Sequence, residues 1–191
     1  MVYKEKLMED ASKWERKLFA SSIRLLEREY AKAERREEVI KVFEKLFRQW
    51  EEQTEAEAAS VGICYLYSSI LMRTGELRLT LYGEELYMDR NQLEMAWIPP
   101  CFFEMYERDM IEILEELQKG NPRIYQYEKD AIRYQYAEYY YAAIAALCRD
   151  MLDEIKNSEA YKMLKKTDNF FFFFGRWRGE AEKLGNVHKY V

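Results

Sequence analysis

Glycine and proline, the two residues that most often interrupt regular structure, are scarce in this sequence. Seven glycines and three prolines occur in 191 residues, and none of them precedes Gly62. A chain with so few turn-forming residues favours long helices over many short strands. We therefore expect a mainly α protein: a single-domain helical bundle that carries only a small antiparallel β-sheet.

Apolar residues recur every three or four positions along most of the chain, which is the period of an amphipathic helix. Residues 58–72 are apolar nearly all round, a pattern typical of the buried central helix of a bundle, and Thr54 and Glu57 fit a capping box before it. Residues 3–52 fit either one helix or two. The predicted helices are residues 3–34, 36–52, 58–72, 102–119, 123–156 and 159–166.

Two segments change to the period of two that marks a β-strand. Leucines alternate with other residues from residue 77 onwards and Gly83 offers a turn, so residues 77–88 predict a β-hairpin, inserted between helices at 77–89. The five consecutive phenylalanines at 170–174 predict a further strand, which would join the hairpin in a three-stranded sheet buried on both faces. Residues 90–98 are expected to form a loop.

One domain spanning residues 1–191 is the simplest organisation, because no repeat or low-complexity linker divides the chain. Weak order is one alternative for the tail at 179–191. The N-terminal residues contain no apolar run, so no signal peptide is expected. No apolar window approaches the roughly 20 residues that a membrane-spanning helix needs, and the three cysteines stand far apart without a CxxC pair. These features indicate a cytoplasmic protein of bacterial type.

Acidic side chains are concentrated in the middle of the chain. The net charge is −5, and residues 53–122 carry 13 acidic but only five basic side chains. Such a surface repels nucleic acid and attracts a basic protein. Basic residues at 24–36 leave nucleic-acid or membrane-surface binding as a weaker alternative, but the acids among them fit intrahelical ion pairs better. We expect neither nucleic acid nor a membrane as the partner.

Catalytic and metal-binding motifs are missing from the sequence. Its single histidine, His188, leaves a serine or cysteine nucleophile without its usual base, and the acidic helix at 102–119 lacks the histidine ligands of a di-iron site. No P-loop and no G-x-G-x-x-G motif occurs. We expect no cofactor and no metal, and we lean towards a protein that is not an enzyme.

Tyrosines crowd residues 125–147. Tyr127, Tyr134 and Tyr141 fall seven residues apart, which places them on one face of a helix. Because a tyrosine buries an apolar ring and keeps one hydroxyl that needs a partner, such a stripe fits either a helix packed on two sides or the wall of a pocket. The pocket interpretation gives our alternative function, a helical small-molecule-binding or catalytic domain.

The segment after the phenylalanine run is the best candidate for display at the surface. Arginine and tryptophan are enriched in binding hot spots, and three such residues follow the predicted strand. At the hairpin, acidic side chains would steer a basic partner towards the protein. The candidate partner-binding residues are Glu84, Glu85, Asp89, Trp97, Arg176, Trp177 and Arg178.

The leading hypothesis is therefore a non-enzymatic cytoplasmic protein–protein interaction module with a basic protein partner. An immunity protein that neutralises a toxin, or an adaptor of a defence system, would have this combination: small, acidic, rich in aromatic residues and free of catalytic motifs. A homodimer is also compatible, since a long aromatic helix can pack against its own copy.

Overall fold

The computed structural model describes residues 2–88 and 91–185. The helices are α1 (Val2–Tyr30), α2 (Ala33–Gln53), α3 (Tyr67–Leu71), α4 (Phe102–Gly120), α5 (Gln126–Asp150), α6 (Leu152–Asn157) and α7 (Glu159–Met163). The strands are β1 (Ala58–Tyr65), β2 (Leu77–Tyr82), β3 (Gln92–Trp97), β4 (Lys166–Arg176) and β5 (Ala181–Leu184). Within the described residues, no helix is both long enough and apolar enough to cross a membrane.

The strands form one five-stranded sheet in the order β3-β2-β1-β4-β5. β1 and β4 run parallel, whereas the other neighbouring strands are antiparallel. The prediction of a mainly α, helical-bundle protein with a small hairpin is therefore wrong, and the fold is mixed α/β, with a five-stranded sheet of parallel and antiparallel strands. Few glycines and prolines are needed because helices, rather than tight turns, make the connections from β1 to β2 and from β3 to β4.

The largest correction concerns residues 58–72, for which the pattern predicts one central helix. They form β1, the central strand of the sheet, followed by the short helix α3. A strand buried on both faces shows the same continuous apolar run as a buried helix. Thr54 is not the N-cap of a helix here. It ends α2, and its Oγ1 accepts a hydrogen bond from the backbone N–H of Ala56 at 3.0 Å.

The strand predicted from residue 77 is present as β2, but its antiparallel partner lies further along the chain. Residues 86–88 form a 3₁₀ turn, and β2 pairs with β3, a segment predicted to be a loop. Leu93, Met95 and Trp97 alternate with small or polar residues along β3. This signal of period two is present in the sequence, and the prediction of a loop overlooked it.

The phenylalanine run lies in β4, which extends beyond the predicted 170–174 in both directions. β4 pairs with β1, with Val61 opposite Phe172, and does not join the hairpin as predicted. Phe172 faces the helices, while the ring of Phe173 lies on the other side of the sheet above Gly62. A Cβ atom at position 62 would lie 2.5 Å from that ring, so glycine is the residue that fits beneath it.

The helix boundaries differ less from the prediction than the strand boundaries do. Residues 3–52 form two helices, separated by a turn at residues 31–32. The predicted helix at 123–156 begins at Gln126 and breaks at Met151, between α5 and α6. The helical period thus places these long helices close to where the structure has them.

The C-terminal segment adds a strand to the sheet. Weak order was one of the alternatives for residues 179–191. Residues 181–184 form β5, in which Glu182 pairs with Phe174 of β4. Residues 186–191, including the histidine, lie outside the described residues.

The described helices pack against one face of the sheet. The main hydrophobic core joins that face to α1, α2, α4 and α5, and Phe43 of α2 packs edge-on against Trp97 and Phe172. The opposite face carries a separate small cluster that includes Cys64 and Phe173. This arrangement leaves a cleft at the end of β1 and β4, along one side of α5.

Candidate ligand-binding cleft

The cleft lies where the parallel strands β1 and β4 end beside α5. Tyr65, the last residue of β1, pairs with Arg176, the last residue of β4. Ligands of open α/β sheets bind outside the carboxyl ends of parallel strands, at points where the chain leaves the sheet and opens a crevice. We call this site the tyrosine cleft; its residues are Tyr65, Tyr67, Tyr134, Glu138, Tyr141 and Arg176.

Two cavities make up the tyrosine cleft, and Glu138 lines both of them. One has a volume of about 560 Å³ and is bordered by Tyr134 and Arg176. The other has a volume of about 380 Å³ and is bordered by Tyr65 and Tyr141. Each volume falls within the range of small-molecule sites in proteins, roughly 300–1,000 Å³.

Helical spacing brings the α5 residues into the cleft. Tyr134, Glu138 and Tyr141 are separated by four and three positions, so they share one face of the helix. Tyr65 and Tyr67 come from the end of β1 and the start of α3. The Tyr67 hydroxyl donates a hydrogen bond to Glu138 Oε1 at 3.1 Å, which joins two parts of the cleft that are 71 residues apart in the chain.

Aromatic rings form the walls of the cleft. Tyr65 and Tyr141 stack with ring centroids 4.0 Å apart and an interplanar angle of 15°. Tyr67 meets Tyr134 edge-on, with centroids 5.2 Å apart. Aromatic pairs in such arrangements contribute about 0.5–1.5 kcal/mol beyond the burial of their area. The rings therefore hold one another in position.

Arg176 supplies a positive charge to the cleft. Its guanidinium carbon lies 4.8 Å from the centroid of the Tyr67 ring, a cation–π contact. The side chain is exposed, and it forms no ion pair with any part of the chain that the structure describes. Its N–H groups are therefore available to a carboxylate or a phosphate, which a guanidinium binds through two parallel hydrogen bonds.

The tyrosine hydroxyls of the cleft are weak acids in this environment. Burial, with a smaller effect of the Glu138 carboxylate, raises the pKa of Tyr65 to about 12. Burial also raises the pKa of Tyr67, where the hydrogen bond to Glu138 adds to the effect, and the pKa of Tyr141. These tyrosines are protonated at neutral pH, so their hydroxyls are poor candidates for general bases.

The predicted tyrosine stripe divides between the cleft and the solvent. Tyr134 and Tyr141 line the cleft, where the pocket hypothesis puts them. Tyr127 is 61% exposed and stacks on Tyr125 at the start of α5, and it does not line the cleft. Two of the three residues singled out for the alternative function thus share one site with Arg176, which was singled out for the leading one.

Two other tyrosines of α5 face the interior and bind one carboxylate. Tyr136 and Tyr140 each donate a hydrogen bond of 2.7 Å to Asp109 Oδ2 of α4, and Ser22 Oγ of α1 donates to the same oxygen at 2.6 Å. Asp109 is 2% exposed, and Arg108 donates to its second oxygen at 3.1 Å. Because this network ties α1, α4 and α5 together, we assign its tyrosines a structural role.

The residues predicted to bind a protein partner do not form one surface. Glu84 and Glu85 are exposed after β2 and border a depression with Glu57, near the start of β1. Arg176 and Arg178 are exposed beyond the opposite end of β1. An eight-residue strand separates its two ends by about 23 Å, at roughly 3.3 Å per residue. The acidic turn and the arginines therefore cannot contact the same small epitope.

The two tryptophans among the remaining residues of that predicted interface do not lie together. Trp97 is 4% exposed and packs edge-on against Phe43 in the core, so its ring is not available to a partner. Trp177 is half-buried on the outer face of the sheet, with the Arg78 guanidinium 5.5 Å from its ring centroid. Asp89 lies outside the described residues.

Sequence reasoning missed three residues of the cleft. Glu138 lies four positions after Tyr134 and three before Tyr141, so the helical spacing that defines the stripe would have found it. Tyr65 and Tyr67 were hidden for another reason: they lie in the segment assigned to a buried helix, which gives no indication of a strand end.

Comparison of the chain with protein-family models, with curated proteins and with solved structures found no match in any of the three. Among residues 2–88 and 91–185, no group of three or more His, Cys, Asp or Glu side chains is arranged to hold a metal ion. A functional inference for this chain therefore rests on the geometry of the cleft.

Proposed function

We propose that the protein binds a small anionic ligand in the tyrosine cleft and acts as a binding protein. The observation that carries this proposal is the Arg176 guanidinium, which is exposed, stacks on Tyr67 and has no ion-pair partner among the described residues. A guanidinium that is already ordered against a ring loses less conformational freedom when it binds a carboxylate or a phosphate.

The rest of the cleft favours a flat ligand that also donates a hydrogen bond. The rings of Tyr67 and Tyr134 border the same cavity as Arg176 and offer faces and edges to an aromatic group. The Glu138 carboxylate lines that cavity too and can accept a hydrogen bond from an N–H or O–H group. The ligand class that complements these groups is an aromatic carboxylate or phosphate with an N–H or O–H donor.

The pKa shifts of the tyrosines support binding rather than catalysis. A general base is most effective when its pKa lies near the working pH, and burial moves the pKa values of Tyr65, Tyr67 and Tyr141 upwards, away from neutrality. The cysteines are free thiols, and Cys64 and Cys148 are buried, which is compatible with action in a reducing cytoplasm.

Isothermal titration calorimetry with p-hydroxyphenylacetate and tyramine tests the proposal, because these probes share a phenol ring and carry opposite charges. We expect the carboxylate to bind to the cleft and Arg176→Gln to weaken that binding about tenfold or more, since charge-assisted hydrogen bonds contribute about 1.5–3 kcal/mol each. Tyramine is expected to gain nothing from Arg176.

Arg178→Gln is the matched control, because Arg178 is also exposed and lies two residues further along the chain. This control should leave the affinity for p-hydroxyphenylacetate unchanged. Equal losses in the two variants would point to a general effect of net charge, and full affinity in Arg176→Gln would refute the proposal.

The interaction module with a basic protein partner stays a prediction. Its acidic residues, Glu84 and Glu85, lie far from the tyrosine cleft, so the two hypotheses can be tested separately. Reversing both to lysine should slow association with a basic partner at low salt and leave binding of the aromatic anion unchanged.

A further inference from the structure

A separate cavity, of about 350 Å³, lies among the helices on the side of α5 that faces away from the tyrosine cleft. It is bordered by α1, by the first turns of α2 and α4, and by the C-terminal half of α5. Successive residues of an α-helix are rotated by about 100°. Ala143 and Leu147 therefore lie on the opposite face of α5 from Tyr134, Glu138 and Tyr141. We call this cavity the helical groove.

The floor of the helical groove is apolar. Leu26 and Phe102 are 2% and 4% exposed, and Ile23 and Leu147 are half-buried beside them. Ala143 contributes only a methyl group, which leaves space that a larger side chain on α5 would fill. A cavity of this size and polarity matches the lower end of small-molecule sites, roughly 300 Å³.

The positive charge that borders the groove is already paired. Arg36 Nη1 donates to Asp150 Oδ2 at 2.7 Å, and its Nε donates to Glu154 Oε1 at 2.9 Å. This single guanidinium therefore holds two carboxylates and joins the start of α2 to α5 and α6. With both acids around it, Arg36 is poorly placed to receive an anionic ligand.

Glu27 is the negative group at the groove that remains available. Its side chain is exposed on α1, and it forms no ion pair within residues 2–88 and 91–185. Together with Asp150, it gives two carboxylates at the lining of the groove against the one guanidinium of Arg36, which Glu154 also pairs from outside the groove. The groove therefore combines an apolar floor with a surplus of negative charge.

Two aromatic rings extend the apolar floor of the groove. Tyr30 and Phe102 both line it, with ring centroids 5.3 Å apart. The Tyr30 hydroxyl donates to the carbonyl oxygen of Pro100 at 2.7 Å, which fixes the ring in place.

We propose that the helical groove binds a small organic cation, with its apolar body on Leu26 and Phe102 and its ammonium group beside Glu27. The charged group available at this site is the Glu27 carboxylate, whereas the proposal for the tyrosine cleft rests on the Arg176 guanidinium. The two sites occupy opposite faces of α5, so a ligand in one does not contact the residues that define the other.

Three probes that share one apolar body test the charge preference: phenylbutylammonium, phenylbutanol and phenylbutanoate. Each is titrated calorimetrically at low salt into the full-length Arg176→Gln variant, which removes the guanidinium that an aromatic carboxylate would use in the tyrosine cleft. We expect the ammonium compound to bind about threefold tighter than the alcohol, which is the effect of one exposed ion pair, and the carboxylate to bind most weakly. A carboxylate that binds as tightly as the ammonium compound, or no binding by any probe, overturns the proposal.

Glu27→Gln should abolish the preference for the ammonium compound over the alcohol while the alcohol binds as before. Glu112→Gln is the control, since Glu112 is an exposed carboxylate on α4 that does not line the groove. A preference that survives Glu27→Gln, or that is lost equally in Glu112→Gln, refutes the role of Glu27.

Ala143→Leu tests the location, because the larger side chain fills the groove without adding charge. It should weaken phenylbutylammonium and phenylbutanol alike, whereas Arg176→Gln in the tyrosine cleft should weaken neither. Binding of a basic helical peptide with no binding of phenylbutylammonium would show that the groove serves a protein partner, and it would overturn the proposal of a small cation.

Discussion

Tyr140 and Tyr141 are neighbours in α5 and are almost equally buried, at 3% and 4% exposed, yet their hydroxyls have opposite environments. The Tyr140 hydroxyl donates to Asp109, which also holds Tyr136 and Ser22. The Tyr141 hydroxyl is buried and has no hydrogen-bond partner among the described residues. Because they point to different sides of the helix, one tyrosine belongs to the helical interior and the other to the cleft.

The difference teaches that burial and residue type do not reveal what a tyrosine does in this protein. On the inner side, α1 and α4 bring a serine and an aspartate to the hydroxyls, so the polar groups stabilise the packing of three helices. On the cleft side, β1 brings the ring of Tyr65, which stacks on Tyr141 and gives the hydroxyl nothing to bind. The inner tyrosines contribute through hydroxyl and ring, and the cleft tyrosines contribute mainly through their rings.

Asp109→Ala should disrupt the hydrogen-bond network of the inner tyrosines and cause the largest loss of stability. It leaves the hydroxyls of Ser22, Tyr136 and Tyr140 buried without their acceptor. Removal of one partner from a buried charged network costs about 3–5 kcal/mol in the free energy of unfolding, measured by urea denaturation. Glu112→Ala, at an exposed position of the same helix, should change it by less than about 0.5 kcal/mol. If Asp109→Ala lowers the free energy of unfolding by less than about 1 kcal/mol, the network does not have a structural role.

Removal of single hydroxyls compares the two sides directly. Tyr140→Phe removes a hydrogen bond to a buried carboxylate and should lower the free energy of unfolding by about 1.5–3 kcal/mol. Tyr141→Phe removes a buried hydroxyl that has no partner among the described residues, so it should cost nothing or stabilise the protein by up to about 1 kcal/mol. The two variants remove the same group, a tyrosine hydroxyl, at neighbouring positions, so each serves as the control of the other. Equal losses would mean that the Tyr141 hydroxyl has a partner in solution.

Two substitutions of Tyr67, whose ring contacts Arg176, distinguish what its ring and its hydroxyl contribute to ligand binding in the cleft. Tyr67→Ala should weaken binding of p-hydroxyphenylacetate about two- to fivefold, because a cation–π contact at an exposed site contributes about 0.5–1 kcal/mol to holding the guanidinium. Tyr67→Phe keeps the ring and should preserve the affinity, measured by the same calorimetric titration. A loss in Tyr67→Phe as large as that in Tyr67→Ala would assign the effect to the hydroxyl.

The sequence predicts the helical parts of this molecule better than the sheet, for a physical reason. A helix exposed on one side repeats its apolar residues every three or four positions, and α2 and α4 show this pattern clearly. β1 lies at the centre of the sheet, covered on both faces, so Val61, Ile63 and Cys64 form a continuous apolar run that a buried helix would also show. With β1 assigned to a helix, the parallel pairing with β4 could not be predicted.

The candidate site was predictable in part. Tyr134 and Tyr141 share a helix face by spacing alone, and Arg176 was conspicuous after the phenylalanine run. Their proximity depends on the pairing of Tyr65 with Arg176 across β1 and β4, which are over a hundred residues apart in the chain. Local spacing carries no information about such a pairing. The sequence therefore assigned the tyrosines to the pocket hypothesis and Arg176 to the partner-binding hypothesis, although all three line one cleft.

Glu15 extends the comparison of satisfied and unsatisfied polar groups to a second buried carboxyl. It is fully buried in α1, and Gln135 Nε2 donates to its Oε2 at 2.7 Å, whereas its Oε1 has no partner among the described residues. Burial raises the pKa of Glu15 above its usual value of 4.5, and the hydrogen bond from Gln135 opposes that shift only in part. The folded chain therefore holds the Glu15 proton more tightly than the unfolded chain does.

The smallest expected effect is a pH-dependent gain in the free energy of unfolding of the Glu15→Gln variant. Because the folded pKa is raised, the contribution of Glu15 to stability is most favourable below pH 4.5 and falls as the pH rises through the folded value. The amide of the variant carries no charge, and its oxygen still accepts from Gln135. The difference in free energy of unfolding between Glu15→Gln and the wild type should therefore shift in favour of the variant from about pH 4 to pH 8. Glu5→Gln, at an exposed position of the same helix, should show no such shift, and a difference independent of pH would show that Glu15 titrates alike in the folded and unfolded chains.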